Sequence, residues 1–298
     1  MPSLIDLRRR IRSVKNTEQI TKAMKMVSAA KLRRAQERVI AARPYANLMR
    51  EMLADLTVAA QSDDRASESP WLAVREMHRI DLIFFSSDTG LAGAFNSTLL
   101  KASQKFFQDY QGAEINLTLV GRKGRDFYRR RNGKILSEHV NLAARPTYQD
   151  AAEIAREVIR RYKDGETDAV FVLNNEFKSV MSQKLSVMQL LPVVADTDAD
   201  KEKAEKDQKE PENKDYIYEQ SPVDMLNRLM PRYVEVAVFR ALLETIASYQ
   251  AARMTAMDKA SSNARDVIDS LTLNMNRIRQ AAITKEIIEV VSGAAAAE

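Results

Sequence analysis

Residues 221–293, SPVDMLNRLMPRYVEVAVFRALLETIASYQAARMTAMDKASSNARDVIDSLTLNMNRIRQAAITKEIIEVVSG, decide the fold. Apolar or small side chains recur there at alternating steps of three and four. The line runs from Tyr233 and Val236 through Leu243, Met254, Met257, Ile268 and Leu271 to Ile278 and Ala282. Of its fifteen positions only Arg240, Gln250 and Ser261 are polar. That spacing keeps one face of a helix apolar over its whole length. Ser221 is suited to cap it, Pro222 to its first position, and Asp224 stands three residues after the cap. Pro231 is expected to kink it and Gly293 to stop it. Seventy residues of helix span roughly 105 Å, far more than a small domain.

Such a helix cannot bury its seam on a small domain alone, and a partner stands at the other end of the chain. From Val14, Thr17, Thr21, Met24 and Ser28 the same stepping continues through Leu32, Val39, Met49 and Leu53 to Ala60. One extra step of four, Ser28 to Leu32, makes a stutter in the seam. Pro44 should kink this second helix. The two ends are therefore predicted to lie antiparallel as one rod. The C-terminal helix is the longer by about 20 Å, so its tip, ITKEIIEVVSGAAAA, should project alone.

Between the ends the character changes. Seven of the eight glycines fall between Gly90 and Gly165, so positive φ is needed in the middle and not at the flanks. Residues 61–70 read as a polar linker. Ile80–Phe85, Ile115–Val120, Ala169–Leu173 and Gln183–Leu191 read as strands. They alternate with helices ending near Tyr110, at Arg131 and over Tyr148–Lys163. The predicted class is thus α/β plus long helices: an antiparallel two-helix coiled coil formed by the two termini, with an inserted Rossmann-like α/β domain. Residues 1–60 and 221–298 form the rod and 75–220 the inserted domain. Residues 196–215, with nine acids and five bases, are expected to be a mobile acidic loop.

Charge narrows the function. The net charge is +5, yet residues 1–50 alone carry 13 Lys and Arg against 3 Asp and Glu. A basic end of this strength suits an acidic partner. The absence of cysteine excludes disulfides, thiolate metal sites and thiol switches. No apolar run approaches a membrane span, and no secretory signal is seen. The basic start imitates a transit peptide, but its stripe runs on to residue 60 without a cleavage-like break.

Sites for chemistry are weak. SSDTGLAGAFN (residues 86–96) follows a strand and precedes a helix, yet its G-x-x-G spacing fits neither nucleotide fingerprint. Asp88 and Thr89 are read as local caps. Gly121-Arg122-Lys123-Gly124-Arg125 could hold an anion at a helix start, but reads better as a turn with solvated bases. His78 and His139 are too few for a metal cluster and are placed at the surface. No catalytic, cofactor-binding or metal site is expected, and the sequence argues against an enzyme acting alone. A nucleotide-binding α/β protein with a helical hairpin remains one alternative. The other, a basic coiled coil that binds nucleic acid, is disfavoured because the bases spread around the helix and share it with the seam.

LRRRIRSVKNTEQITKAMKMVSAAKLRRAQ (residues 7–36) resembles the start of the γ subunits of F-type ATP synthases. ITKEIIEVVSGAAA (residues 283–296) is similar to that family's C-terminal signature: Ile283, Thr284, Glu286, Glu289, Gly293 and Ala294 fill its specified positions. SSDTGLAGAFN, YIYEQSP (216–222) and LMPRYVE (229–235) extend the likeness over essentially the whole chain. The resemblance implies a rotary shaft inside a ring of three α and three β subunits, with a foot beside the ε subunit on a c ring, and proton flow turning the rotor. It implies one copy per complex, no cofactor, no nucleic acid and no membrane insertion. The implied location is peripheral, on the cytoplasmic face of a bacterial plasma membrane. By motif it also implies partner contacts at Met24 and Arg253, facing acidic β loops. Arg279, Gln280, Thr284, Glu286 and Glu289 are the upper set, and Tyr216, Tyr218 and Glu219 the foot set. Lys22 and Lys25 join the first set because their charge flanks Met24.

Overall fold

Two matched apolar seams draw the ends of the chain together. The structure, a computed structural model, describes residues 3–61, 69–71, 75–131, 133–192 and 220–295. Helix α1, Leu4–Gln61, has 58 residues, and the last helix, α5, Pro222–Ala295, has 74. Along α1 most buried positions are those of the seam, among them Thr21, Ser28, Leu32, Val39, Met49, Leu53 and Ala60, with Leu7 and Thr57 buried besides. Val14, Met24 and Ala42 are half-buried. Thr17 is exposed instead, and its neighbour Glu18 accepts from Arg265 of α5 at 3.2 Å.

The helices run antiparallel. Glu18 meets Arg265, Lys25 meets Asp258, Arg43 meets Glu244 and Asn47 meets Arg240, so the numbers fall on one helix as they rise on the other. Both helices continue unbroken through Pro44 and Pro231. Nor does Gly293 end α5, which runs to Ala295; the alanines that follow the glycine are the best helix formers. The 16-residue excess of α5 amounts to roughly 24 Å of helix.

The exposure of α5 changes along its length. Residues 241–251 are buried on every side. Met257, Ser261, Ala264 and Ile268 then form a single buried line among exposed neighbours. Residues 283–292 are exposed throughout.

Between the long helices lies a five-stranded sheet in the order β3-β2-β1-β4-β5. Its strands are β1 Arg79–Phe85, β2 Glu114–Val120, β3 Ile135–His139, β4 Ala169–Phe177 and β5 Gln183–Leu191. The first four are mutually parallel, and β5 is antiparallel to β4. Helices α2 Phe95–Asp109, α3 Arg122–Arg129 and α4 Tyr148–Lys163 complete the domain. Strands β1 and β2 are buried on both faces, which is why they read as mostly apolar runs, interrupted only by the buried Asp81, Asn116 and Thr118. The sequence reading missed β3: this edge strand is half-buried throughout, and its ILSEH pattern carries no apolar run.

Two cores flank the sheet. One joins Ile83, Phe85 and Val172 to Ile154 and Val158 of α4, and to Leu53, Val234 and Val238 of the long helices. The other packs Leu82, Phe84 and Leu117 under Leu99 and Phe106 of α2 and Tyr128 of α3. The sheet is thus fastened to the rod through its own core.

Candidate partner interface

The first expected contact set lies on one stretch of the rod. Lys22 is exposed, and Met24 is half-buried in the seam. Lys25 is partly exposed, and its ammonium donates to Asp258 of α5 at 2.5 Å. Arg253 is five residues from Asp258, about 7.5 Å along the helix. Its Nη1 donates to the Tyr249 hydroxyl at 3.2 Å, and its Nε is buried without a hydrogen-bond partner.

Tyr249 was not foreseen, because it falls outside the seam pattern, one residue before the seam position Gln250. Its ring packs edge-on to Phe95, with centroids 5.8 Å apart. Its hydroxyl meets Thr89 and approaches the Gly90 carbonyl at 3.5 Å. The SSDTGLAGAFN turn therefore sits against the rod beside Arg253. Gly93, at φ +57°, brings the turn close enough that a Cβ would lie 3.8 Å from Ala256 of α5.

The second set, Arg279, Gln280, Thr284, Glu286 and Glu289, is exposed on the solitary end of α5. Thr284 donates to the Gln280 carbonyl at 3.0 Å, and Glu289 pairs with Lys285 at 3.5 Å. Around them Ile287, Ile288, Val290 and Val291 are also exposed. Unpaired apolar side chains in a group of this kind mark a surface that another protein covers. Tyr216, Tyr218, Glu219 and the acidic stretch 196–215 lie outside the described residues.

The glycine turn at the start of α3 has no open cradle for an anion. At the start of α3, Asp88 accepts from the Arg122 amide at 3.1 Å, the Ser87 carbonyl from Lys123 at 3.0 Å and Ser86 Oγ from Gly124 at 2.9 Å. An incoming phosphate would have to displace all three. Asp88 is not the local cap expected: it accepts from the amides of Arg122, at the start of α3, and of Asn141 rather than from its own turn. Thr89 meets Tyr249 instead of capping.

His78 is at the surface beside Glu76, at 3.0 Å. His139 is not: it lies on β3, half-buried, with Nε2 sealed and unpartnered. Burial lowers its pKa, against the raising influence of Glu157, Glu153 and Asp150. Among the described residues no group of three or more His, Cys, Asp or Glu side chains could hold a metal ion. Among the described residues no helix is long and apolar enough to cross a membrane.

This geometry defines a stalk-type protein, in which two terminal helices of unequal length are mounted on a mixed sheet and one end is left bare. A family model described as ATP synthase matches residues 3–297. The chain is 56% identical over 298 residues to the ATP synthase gamma chain of Solibacter usitatus, covering all of both chains. It is 49% identical over 296 residues to that of Geobacter metallireducens, covering 99% of this chain and 98% of that one. The chain belongs to the ATP synthase gamma-chain family.

Solved structures agree. The central stalk and c-ring structure of the Tetrahymena thermophila mitochondrial ATP synthase matches with a TM-score of 0.60 at 25% identity, over 81% of this chain and 99% of that one. A chain of the Euglena gracilis mitochondrial enzyme matches with a TM-score of 0.67 at 21% identity, over 98% and 94%, a likeness of fold.

Proposed function

We propose that the chain is the central-stalk rotor subunit of a bacterial F-type ATP synthase, and that it carries torque between a proton-driven c ring and a catalytic α3β3 ring. On this reading it is itself non-catalytic. Residues 1–60 and 221–298 are an antiparallel coiled-coil shaft, and 75–220 a Rossmann-like foot. The enzyme sits peripherally on the cytoplasmic face of the plasma membrane.

The observation that carries the reading is the graded exposure of α5: enclosed at 241–251, one-sided at 257–268, bare at 283–292. A helix anchored at one end and bare at the other suits a shaft held in a foot and turning in a sleeve. Arg279, Gln280, Thr284, Glu286 and Glu289 are assigned to the sleeve contact. Lys22, Met24 and Arg253 are assigned to the acidic loops of β, and Tyr216, Tyr218 and Glu219 to the c ring and ε. Lys25 belongs to this zone through its link to Asp258. Exposed ion pairs are worth about 0–1 kcal/mol, weak enough to break at each step.

The doubly wound comparison supports the non-catalytic part. The strand order reverses beside β1, between β1 and β4, and sheets of that kind bind ligands at the carboxyl ends of those strands. Here α5 packs across the crevice: Ser248 donates to the Asn175 carbonyl at 3.1 Å, and Tyr249 meets Thr89, while an open pocket lined by Gly93, Phe95, Asn175 and Ala256 remains beside it. Mixing the purified chain with α and β subunits tests the proposal. An ATP-hydrolysing complex with one copy of the chain is expected. No such complex, or tight stoichiometric binding of ATP by the chain alone, would overturn it.

A further inference from the structure

We infer that Arg43, Glu244 and the last residue of β4, Phe177, form the joint that holds the foot at a fixed angle to the shaft. The inference rests on the rotor reading above and adds to it the residues through which torque crosses from one part to the other.

The geometry is a closed ring. Glu244 of α5 accepts from Arg43 Nε at 3.0 Å and from Arg43 Nη2 at 3.1 Å. It also accepts from the Phe177 amide at 2.8 Å. Arg43 Nη2 donates in turn to the Phe177 carbonyl at 2.6 Å. Both main-chain groups at the end of a central strand are thus gripped, one by each long helix. The Glu244 side chain is only 2% exposed, and Arg240 stands 3.9 Å away as a second cation.

Among the described residues, the other polar links between foot and rod engage α5 alone. Tyr148 donates to Glu235 at 2.7 Å, Ser248 to the Asn175 carbonyl, and Tyr249 meets Thr89. Among the described residues, the Arg43 ring is where α1, α5 and the sheet meet through hydrogen bonds in one place.

The rest of the junction is apolar, as in the contacts of Val234 and Val238 with the sheet core. Apolar attraction has no direction, so two such surfaces can slide or turn a little at small cost. A guanidinium–carboxylate fork is directional in both distance and angle. It is also a poor source of net stability, since a well-packed apolar replacement is often as stable or more so. A charged pair kept inside this junction therefore supplies geometry. It locks the angle between foot and shaft, and it does so on both helices, so neither can twist past the other.

The test uses the complete ATP synthase containing this chain, reconstituted in lipid vesicles, with ATP hydrolysis and ATP-driven proton uptake measured on the same samples. Arg43→Met is expected to keep hydrolysis within about twofold of the parent while proton uptake per ATP falls at least about twofold, because the directional link is gone. Glu244→Gln, which keeps the shape, should behave alike. Arg43→Lys should fall between, since an ammonium cannot span the fork. Parental uptake per ATP in Arg43→Met and Glu244→Gln would overturn the inference. So would an equal loss of hydrolysis and uptake, which marks a general defect of folding. If Arg43→Met fails to assemble, the other two variants decide. Failure of the parent chain itself to couple would strike the rotor reading instead, which keeps the two results apart.

Discussion

Lys25 Nζ lies 2.5 Å from Asp258 Oδ1, across the seam between the first helix and the last, although 233 residues separate them in the chain. With side chains 41% and 59% exposed, the pair is largely solvated. Lys25→Ala should therefore cost less than about 1 kcal/mol, read from urea unfolding midpoints. The loss should shrink further in high salt. A cost of several kcal/mol, unchanged by salt, would mean that the link holds the rod together rather than decorating it.

Leu53 and Val290 are both apolar, but one is 1% exposed and the other 72%. Leu53→Ala should cost about 2–5 kcal/mol, through lost transfer energy and a cavity between the helices. Val290→Ser should alter stability by no more than about 0.5 kcal/mol. Its effect should appear instead as weaker assembly with α and β subunits, measured by gel filtration of the mixture.

Gly121 has φ +101°, and a Cβ there would lie 2.2 Å from the Ser86 carbonyl oxygen. Gly121→Ala should lower stability by at least about 3 kcal/mol, since both the dihedral and the clash oppose it. Gly112 has nothing within 4 Å of such a Cβ and no positive φ. Gly112→Ala should unfold within a few degrees of the parent in a thermal melt.

His139 gives a pH signature. Its pKa is lowered in the folded chain by burial, so the unfolded chain binds a proton more readily. Stability from this group is complete above the ordinary histidine value of about 6.5. It is lost as pH falls from there through the folded value. Asp168 and Glu176 act in a lower window. Burial opposes their ionisation, but Arg79 and Lys178 outweigh it and hold both below their usual values. Their contribution fades only below about 4. Urea unfolding at pH 7.5 and 5.5 should show a drop that His139→Gln abolishes; an equal drop in the variant would assign the effect elsewhere.

Met24 is half-buried in the seam, with Lys22 exposed beside it. Met24→Lys places a cation where a long stem can still lie along the seam, so the melting temperature should move by only a few degrees. Proton pumping per ATP in the assembled enzyme should fall. Unchanged pumping would remove Met24 from the partner contact.

The long helices were legible because their signal is periodic and repeated. Seam positions from Thr21 to Ala60 were named from spacing alone, and all are buried or half-buried. Strands β1 and β2 were legible because burial on both faces leaves them mostly apolar, with Asp81, Asn116 and Thr118 their only buried polar residues. Strand β3 was not, because an edge strand with one partner needs no apolar run. His139 escaped for the same reason: its neighbours read as loop, while the fold closes over its Nε2. The Arg43–Glu244 joint was invisible because its three members lie far apart in sequence and each resembles an ordinary residue of its own element. Lys25 shows the converse: its charge was legible, but its ion pair with Asp258, 233 residues away, was not.

The antiparallel pairing also fixes the order of events during synthesis. Glu18 bonds Arg265, a separation of 247 residues. At about 5–20 residues per second, the first helix leaves the ribosome roughly 10–50 s before its partner exists. Leu32, Val39, Leu53 and Leu56, all buried in the finished protein, must wait through that interval facing water or a chaperone. The sheet domain closes contacts over much shorter separations, so it can form meanwhile. The rod is then the last part of the protein to assemble, and its upper half cannot begin to pair until nearly the whole chain has been made.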